Sequence, residues 1–274
     1  MIQWFPGHML KAQQELKKSV SKVDIVLEIL DARLPLSSSN PFVEKICQNK
    51  YKLKVLNKKD IADSKQTSLW LNSFAKQQIP AIAICGIQKT HTRKTLNYYI
   101  KKVQSNSIRK TKVMILGIPN TGKSTILNSL VSAKIAKTAN TPAITRIIQR
   151  AGLKGNIDIY DTPGILWPVL EPEQRAYILA TSGAISDSII DYIDLAFFAG
   201  NFLIKKYPDL LIKRYPFLKP LPEQAKLIIK KLAIARGCFK KDKVIDYQKA
   251  CQIFIHELRK GKIGKISFET PNSL

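Results

Sequence analysis

The chain has 274 residues, enough for two domains with separate cores, and its 45% hydrophobic and 24% charged residues exclude wholesale disorder. Lys+Arg of 45 against Asp+Glu of 20 leaves a formal charge of +25, which suits a polyanionic partner: RNA, DNA or an anionic membrane surface. The four cysteines, Cys47, Cys85, Cys238 and Cys251, form no CxxC pair, so neither a zinc site nor a disulfide framework is indicated and a reducing cytoplasm fits.

The chain opens on Ile2-Gln3-Trp4-Phe5-Pro6-Gly7-His8-Met9 after the initial Met, without the basic region and apolar run of a signal peptide, and the expectation is a cytosolic protein. Short β-branched runs at 24–30, 53–56, 81–84, 112–116, 145–151 and 157–160 then alternate with amphipathic or polar stretches. That alternation predicts an α/β fold, a six-stranded, mostly parallel, doubly wound sheet covered by helices. No acidic residue occurs over 64–157 while basic residues recur from Lys65 to Lys154; this is either a nucleic-acid face or a solvated basic surface. Past Pro172 the pattern changes. Apolar positions recur at helical spacing over 176–190, 224–235 and 247–258, with Pro208, Pro216, Pro220 and Pro222 breaking the segments between. The reading is a sheet domain over 1–172 and a small helical domain over 173–274. The longest strongly apolar stretch, 195–204, is half the length needed to cross a bilayer and contains Gly200 and Asn201; it reads as a buried helix, so no transmembrane segment is expected.

The sharpest motif is Gly117-Ile118-Pro119-Asn120-Thr121-Gly122-Lys123-Ser124, a complete GxxxxGK[ST] between the strand at 112–116 and a helical stretch beginning at Thr125. Backbone N–H groups from Asn120 through Thr125 turn inward around phosphates at a helix N-terminus, Lys123 reaches the β- and γ-phosphates, and the Ser124 hydroxyl ligates Mg²⁺. Asp161-Thr162-Pro163-Gly164 follows the last strand, where a phosphate-loop NTPase needs a carboxylate near Mg²⁺ and a glycine N–H at the γ-phosphate. Thr145, between the two motifs, is the candidate second hydroxyl ligand, with Thr141 competing for the role or Thr145 serving as an ordinary strand threonine. Asn57-Lys58-Lys59-Asp60 ends the second strand as NKxD does in GTPases. There the Asp60 carboxylate accepts from guanine N1–H and the N2 amine, Asn57 braces the loop and contacts the base, and the Lys58 stem packs over the ring. Such a site rejects an analogue lacking the donors by on the order of 10⁴.

In the usual GTPase chain the phosphate loop comes first, but here NKxD precedes both the phosphate loop and DxxG. A circular permutation cut just after DxxG explains the order, and it runs the γ-phosphate-sensing segment from Asp161 directly into the helical domain.

Trp4-Phe5-Pro6-Gly7-His8-Met9, Asp31-Ala32-Arg33, Asn40-Pro41, the three nucleotide motifs, the extension of DxxG through Ile165-Leu166-Trp167-Pro168, Thr181-Ser182-Gly183-Ala184-Ile185 and the closing Gly264-Lys265-Ile266-Ser267-Phe268-Glu269 resemble, in this order and over essentially the whole chain, the bacterial ribosome biogenesis GTPase A (YlqF-type) family. The resemblance implies a permuted GTPase domain, then a helical domain contacting RNA. It also implies GTP and GDP as ligands, and the large ribosomal subunit with its ribosomal RNA as partner late in assembly. Two positions depart from the family pattern: Ala143 stands where glycine is common before the switch threonine, and Cys85-Gly86-Ile87 matches the guanine-backing loop poorly.

Ras-type GTPases place a water-orienting glutamine directly after DxxG, whereas this chain has Ile165, so intrinsic hydrolysis is expected to be slow. His8 is one candidate for the orienting role, its alternative being a packing histidine among Trp4, Phe5 and Met9. Asn120 is another, as a ligand for K⁺ where related GTPases resemble potassium-dependent ones, or else as a loop-capping asparagine. Lys226–Lys231 and Arg236–Lys243 offer phosphate contacts in the helical region. Two other classes compete: a nucleotide-sensing platform without turnover, against which Lys123, Ser124 and Asp161 speak, and an ATP-dependent helicase, which has no use for NKxD. The piece 1–172 is expected to bind nucleotide when isolated.

Overall fold

A computed structural model of the chain describes residues 8–104, 109–131, 149–153, 156–164, 166 and 172–271, the side chains of 8–13, Gln149 and Leu153 excepted. In chain order the first half runs α1 (His8–Val20), β1 (Ile25–Asp31), α2 (Pro35–Ser38), α3 (Pro41–Ile46), β2 (Tyr51–Asn57), α4 (Ser64–Lys76), β3 (Ala81–Ala83), α5 (Lys89–Val103), β4 (Thr111–Leu116) and α6 (Lys123–Val131). Strands β5 (Gln149–Leu153) and β6 (Ile157–Asp161) complete a six-stranded sheet of order β3-β2-β1-β4-β6-β5. Every pairing is parallel except β5 with β6.

The strand alternation explains why both faces are covered. Side chains two apart share a face, so Ile25, Leu27 and Ile29 of β1 join Val113, Ile115, Ile157 and Ile159 under Leu96 and Ile100 of α5 and Ile126 and Leu127 of α6. On the opposite face Val26 and Met114 pack with Leu16 and Val20 of α1. Leu30 and Leu56 pack there with Trp70 and Phe74 of α4. With both sides dry, all of β1 is buried, including Glu28, whose carboxylate pairs with Lys54 at 2.9 Å. Asn40 caps α3 by accepting from the Phe42 N–H at 2.9 Å, a physical reason for the Asn40-Pro41 pair.

Beyond residue 172 lie α7 (Glu173–Ser182), α8 (Tyr192–Lys206), α9 (Pro208–Arg214), α10 (Ala225–Ala235) and α11 (Tyr247–Arg259). The helical stretch expected over 176–190 is broken: α7 closes on Gly183 in the left-handed conformation (φ 85°), the turn that sends the carbonyls of a helix end back onto N–H groups, and a short 3₁₀ turn follows at Asp187–Ile189. The apolar 195–204 stretch is the buried part of α8, with Leu195, Ala196, Ala199, Gly200 and Leu203 in the core. Among the described residues no helix is long and apolar enough to cross a membrane. The helices share one core around Leu203, Leu232, Phe254 and Leu258, and Leu34 and Ile118 from the sheet half join it. The last described residues do not stay with the helices. They return to the sheet half, where the Phe268 N–H donates to the Arg33 carbonyl at 2.7 Å and the Ile266 N–H to the Ile61 carbonyl at 3.1 Å.

Candidate active site

The functional motifs sit at the C-terminal ends of parallel strands. Asp31 ends β1, Asn57 ends β2, Leu116 leads from β4 into the phosphate loop, and Asp161 ends β6. The chain winds outward from β1 to β3 and then restarts beside β1 at β4, so β1 and β4 flank the switch point where open α/β sheets bind ligands.

At the phosphate end, Asn120 takes a positive φ (59°) inside the loop and α6 begins at Lys123. The buried Lys123 ammonium donates to the Ile118 carbonyl of its own loop at 2.9 Å. Burial pushes its pKa down to about 8, against the pull of Asp161 and with a push from Lys58. The Ser124 hydroxyl donates to Asp161 Oδ2 at 3.0 Å. Asp161 is fully buried, its Oδ1 has no hydrogen-bond partner among the described residues, and burial raises its pKa from the ordinary value. A buried, half-satisfied carboxylate beside a hydroxyl is a donor set for a hard cation, and the buried ammonium beside it calls for an anion. Thr162 donates to the Ile115 carbonyl at 2.8 Å, fixing the start of 161–164 against β4. Gly164 lies so close to the phosphate loop that an added Cβ would stand 2.7 Å from Pro119 backbone atoms and 3.0 Å from Lys123 Nζ.

At the opposite end, the side chain of Asn57 is a brace between two loops. Its Nδ2 donates to the Thr121 carbonyl at 2.7 Å and its Oδ1 accepts from the Gly86 N–H at 2.8 Å. The amide is thus committed at both ends to backbone. Ser129 of α6 donates to the Gly86 carbonyl at 2.9 Å, so the Cys85-Gly86 turn is tied to the helix that begins at Lys123. Burial, then a hydrogen bond and the negative charge of Asp60, push the Cys85 thiol pKa up. Lys58 takes a positive φ (65°), uncommon for a non-glycine residue, and its ammonium donates to Asp31 Oδ2 at 2.9 Å. Asp31 in turn holds Arg33 in a two-pronged pair, Nε to Oδ1 at 2.9 Å and Nη2 to Oδ2 at 2.7 Å. Burial alone would raise the Asp31 pKa, but Arg33 and Lys58 hold it well below the usual carboxylate range.

A family model described as "50S ribosome-binding GTPase" matches residues 112–215, starting at β4 and the phosphate loop and leaving Asn57–Asp60 outside it. The ribosome biogenesis GTPase A of Bacillus licheniformis is 38% identical over 283 residues, spanning 100% of both chains. The chain belongs to the ribosome biogenesis GTPase A family. It is therefore a GTPase, converting GTP to GDP and phosphate. The GDP-bound structure of YlqF from Thermotoga maritima shares 30% identity and superposes with a TM-score of 0.71, covering 94% of this chain and 100% of that one. A GNP-bound structure of the same protein gives 0.70 at 30% identity, covering 96% and 100%.

In this GTPase the phosphate loop, Asp161, Gly164, Asn57, Asp60 and the Cys85-Gly86 turn converge on one sheet edge. Thr121 is buried within the loop, its hydroxyl on the Ile118 carbonyl at 3.1 Å, while Thr125 and Ser124 lie half-buried on the first turn of α6. Thr145, Ile165, Trp167 and the His8 side chain lie outside the described residues; His8 is the first residue of α1. Two contacts were not legible in the sequence. Arg33 and Asp31 support the Lys58 loop from the neighbouring strand, and the signal was an acidic and a basic residue two apart at the end of an apolar strand. Asn120 reaches out of the phosphate loop, Nδ2 donating to the Gly183 carbonyl at the end of α7 at 2.6 Å.

Proposed function

We propose that this GTPase binds large-subunit ribosomal RNA in its GTP state and leaves after hydrolysis, acting in the cytoplasm as a switch in late assembly of the large ribosomal subunit. The observation that carries the RNA reading is the outer face of α5. This helix contains no acidic residue; it buries Thr92, Leu96 and Ile100 and turns Lys94, Lys101 and Lys102 to solvent around Tyr98, which is 63% exposed. Lysines around an exposed aromatic ring suit phosphates and stacked bases. The family model's description as a 50S ribosome-binding GTPase supports the choice of subunit. The switch reading draws on the Asn120–Gly183 contact, which joins the phosphate loop to the helical region over 173–274.

In this proposal Lys123 and the N–H groups from Asn120 through Thr125 bind the phosphates, and the Gly164 N–H meets the γ-phosphate. Asp60, braced by Asn57 and flanked by Lys58 and the Cys85-Gly86 turn, reads guanine. Ser124, Asp161 and Thr145 would hold Mg²⁺, which would neutralise charge on the β- and γ-phosphates. Asn120 is assigned a K⁺ role when GTP is bound, and His8 the orientation of water that Ile165 does not provide; His8→Ala then lowers kcat and spares GTP affinity.

The test is co-sedimentation with ribosomal particles in a GTP analogue, in GDP and without nucleotide. Strong binding with the analogue and weak binding with GDP are expected, with affinity falling by about 10³ between roughly 50 and 200 mM salt if about six phosphates are contacted. Lys94→Glu with Lys101→Glu should weaken binding in the analogue state. Equal binding in all nucleotide states would sink the switch and leave a platform.

A further inference from the structure

The closing segment of the chain, 261–269, is the strongest feature that the nucleotide chemistry leaves unused. It lies against both sides of the Asn57–Asp60 loop. Downstream of that loop, the Ile266 N–H donates to the Ile61 carbonyl at 3.1 Å and the Ser267 hydroxyl accepts from the Asp63 N–H at 3.2 Å. Tyr207 of the helical region places its hydroxyl 3.1 Å from both Asp63 Oδ2 and the Ser267 carbonyl. Gly261 packs so closely on Ile61 that an added Cβ would stand 2.4 Å from its Cγ2. On the other side, the Phe268 N–H donates to the carbonyl of Arg33, the residue whose pair with Asp31 anchors Lys58.

Glu269 pins the end of this segment. Its buried carboxylate accepts from the Leu36 N–H at 2.7 Å, from the Ser37 N–H at 3.0 Å and from the Ser37 hydroxyl, while its carbonyl accepts from Trp70 Nε1 at 3.3 Å. These donors come from α2 and from α4, the helix that Asp63 caps. Residues more than 200 positions away in sequence therefore close the frame around 31–33 and 57–63.

We propose that the segment 261–269 is part of the guanine-specificity apparatus. Ser267 and Glu269 are positioning residues for the Asp60 loop in its base-reading geometry: Ser267 acts through Asp63, and Glu269, by pinning the segment to Leu36, Ser37 and Trp70, acts through the Ile266–Ile61 and Phe268–Arg33 contacts. The inference rests on Asp60 reading guanine. A carboxylate discriminates between bases only if its loop cannot follow the wrong base, and a short loop left open on one side can relax toward it. The isolated piece 1–172, expected to bind nucleotide, lacks the 261–269 side of this frame, and its GTP:ATP preference should be smaller than that of the full chain.

The test uses the full chain with Glu269→Ala, Ser267→Ala and the conservative Glu269→Gln, measuring GTP and ATP affinity together with binding of inorganic tripolyphosphate. Glu269→Ala should reduce the GTP:ATP preference by about ten-fold, the scale of one or two buried hydrogen bonds, with tripolyphosphate affinity unchanged. Glu269→Gln, which keeps an acceptor oxygen, should recover part of the preference. If Glu269→Ala does not fold, Ser267→Ala carries the test through faster amide exchange over 58–63 and a smaller fall in the same ratio. An unchanged ratio, or equal losses for GTP and tripolyphosphate, would overturn the proposal. Asp60→Asn in the otherwise native chain separates the two levels: if it leaves the GTP:ATP ratio unaltered, the guanine-reading assignment fails whatever the segment does.

Discussion

The two ends of the nucleotide cleft are built in different ways. The phosphate end comes from two short stretches, 117–124 and 161–164, and its internal contacts join neighbouring strands or the loop to itself: Lys123 to Ile118, Ser124 to Asp161, Thr162 to Ile115. The base end draws on 31–33, 57–63, 85–86 and 261–269, with each piece held by another. Phosphate recognition relies on main-chain N–H groups of one helix turn, so a local sequence suffices. Base recognition as proposed relies on the Asp60 carboxylate, and the contacts that would constrain its loop come from distant parts of the chain.

The largest expected effect that would sharpen this contrast is at the base. Asp60→Asn replaces one of the two carboxylate acceptors with an NH₂ donor, which opposes the guanine N2 amine and suits the xanthine C2 carbonyl, so preference for GTP over xanthosine triphosphate should shift by up to about 10⁴; competition binding with both nucleotides measures it, and an unaltered preference would place base reading elsewhere. Next is the phosphate end, where Lys123→Ala should lower GTP turnover by about 10³ and weaken GTP and ATP alike. A selective loss of GTP in that variant would break the division between the two ends.

A smaller effect concerns the support under Lys58. Arg33→Ala leaves the buried Asp31 carboxylate with the Lys58 ammonium and the backbone N–H of residue 33 but without its two-pronged guanidinium partner, and a stability loss of about 3 kcal/mol is expected in urea unfolding. The pH dependence has a definite sign. Asp31 has its pKa depressed in the folded protein, so its contribution is present above the unfolded value of about 4 and is lost as pH falls below it. Asp31→Asn should therefore flatten the acid limb of the stability curve, and a limb as steep as that of the native chain would show that other carboxylates dominate. The smallest effect is expected at Asn120. Asn120→Ala cuts the 2.6 Å contact to Gly183, and GTP affinity should change by less than about five-fold, on the scale of one hydrogen bond. The difference in amide exchange over 183–190 between GTP and GDP states should shrink; an undiminished difference would remove this contact from the coupling.

Legibility followed the same division. The strands at 24–30 and 112–116 were readable because parallel strands covered on both sides are continuous apolar runs, and the structure extends or shifts them by one residue only. The second strand was read short, from Leu53, because the exposed Tyr51 and the half-buried Lys52 at its start lack the apolar signal. The single helical stretch over 176–190 failed because apolar spacing persisted across Gly183, while the backbone there turns left-handed to end α7. The antiparallel direction of β5 had no local mark at all, since register and direction are properties of a pair.

The amino-acid sequence by itself determined the six-stranded α/β plan, the permuted order of its motifs and the phosphate-binding chemistry, because these depend on short-range periodicity and on the backbone of one loop. Only the tertiary structure decided that Asn57 spends both ends of its amide on backbone, that Asp31 and Arg33 stand behind Lys58, and that residues 266–268 hydrogen-bond to Ile61, Asp63 and Arg33. Those contacts join polar, buried groups, most of them far apart in sequence, which satisfy one another when burial of the cores takes them out of water.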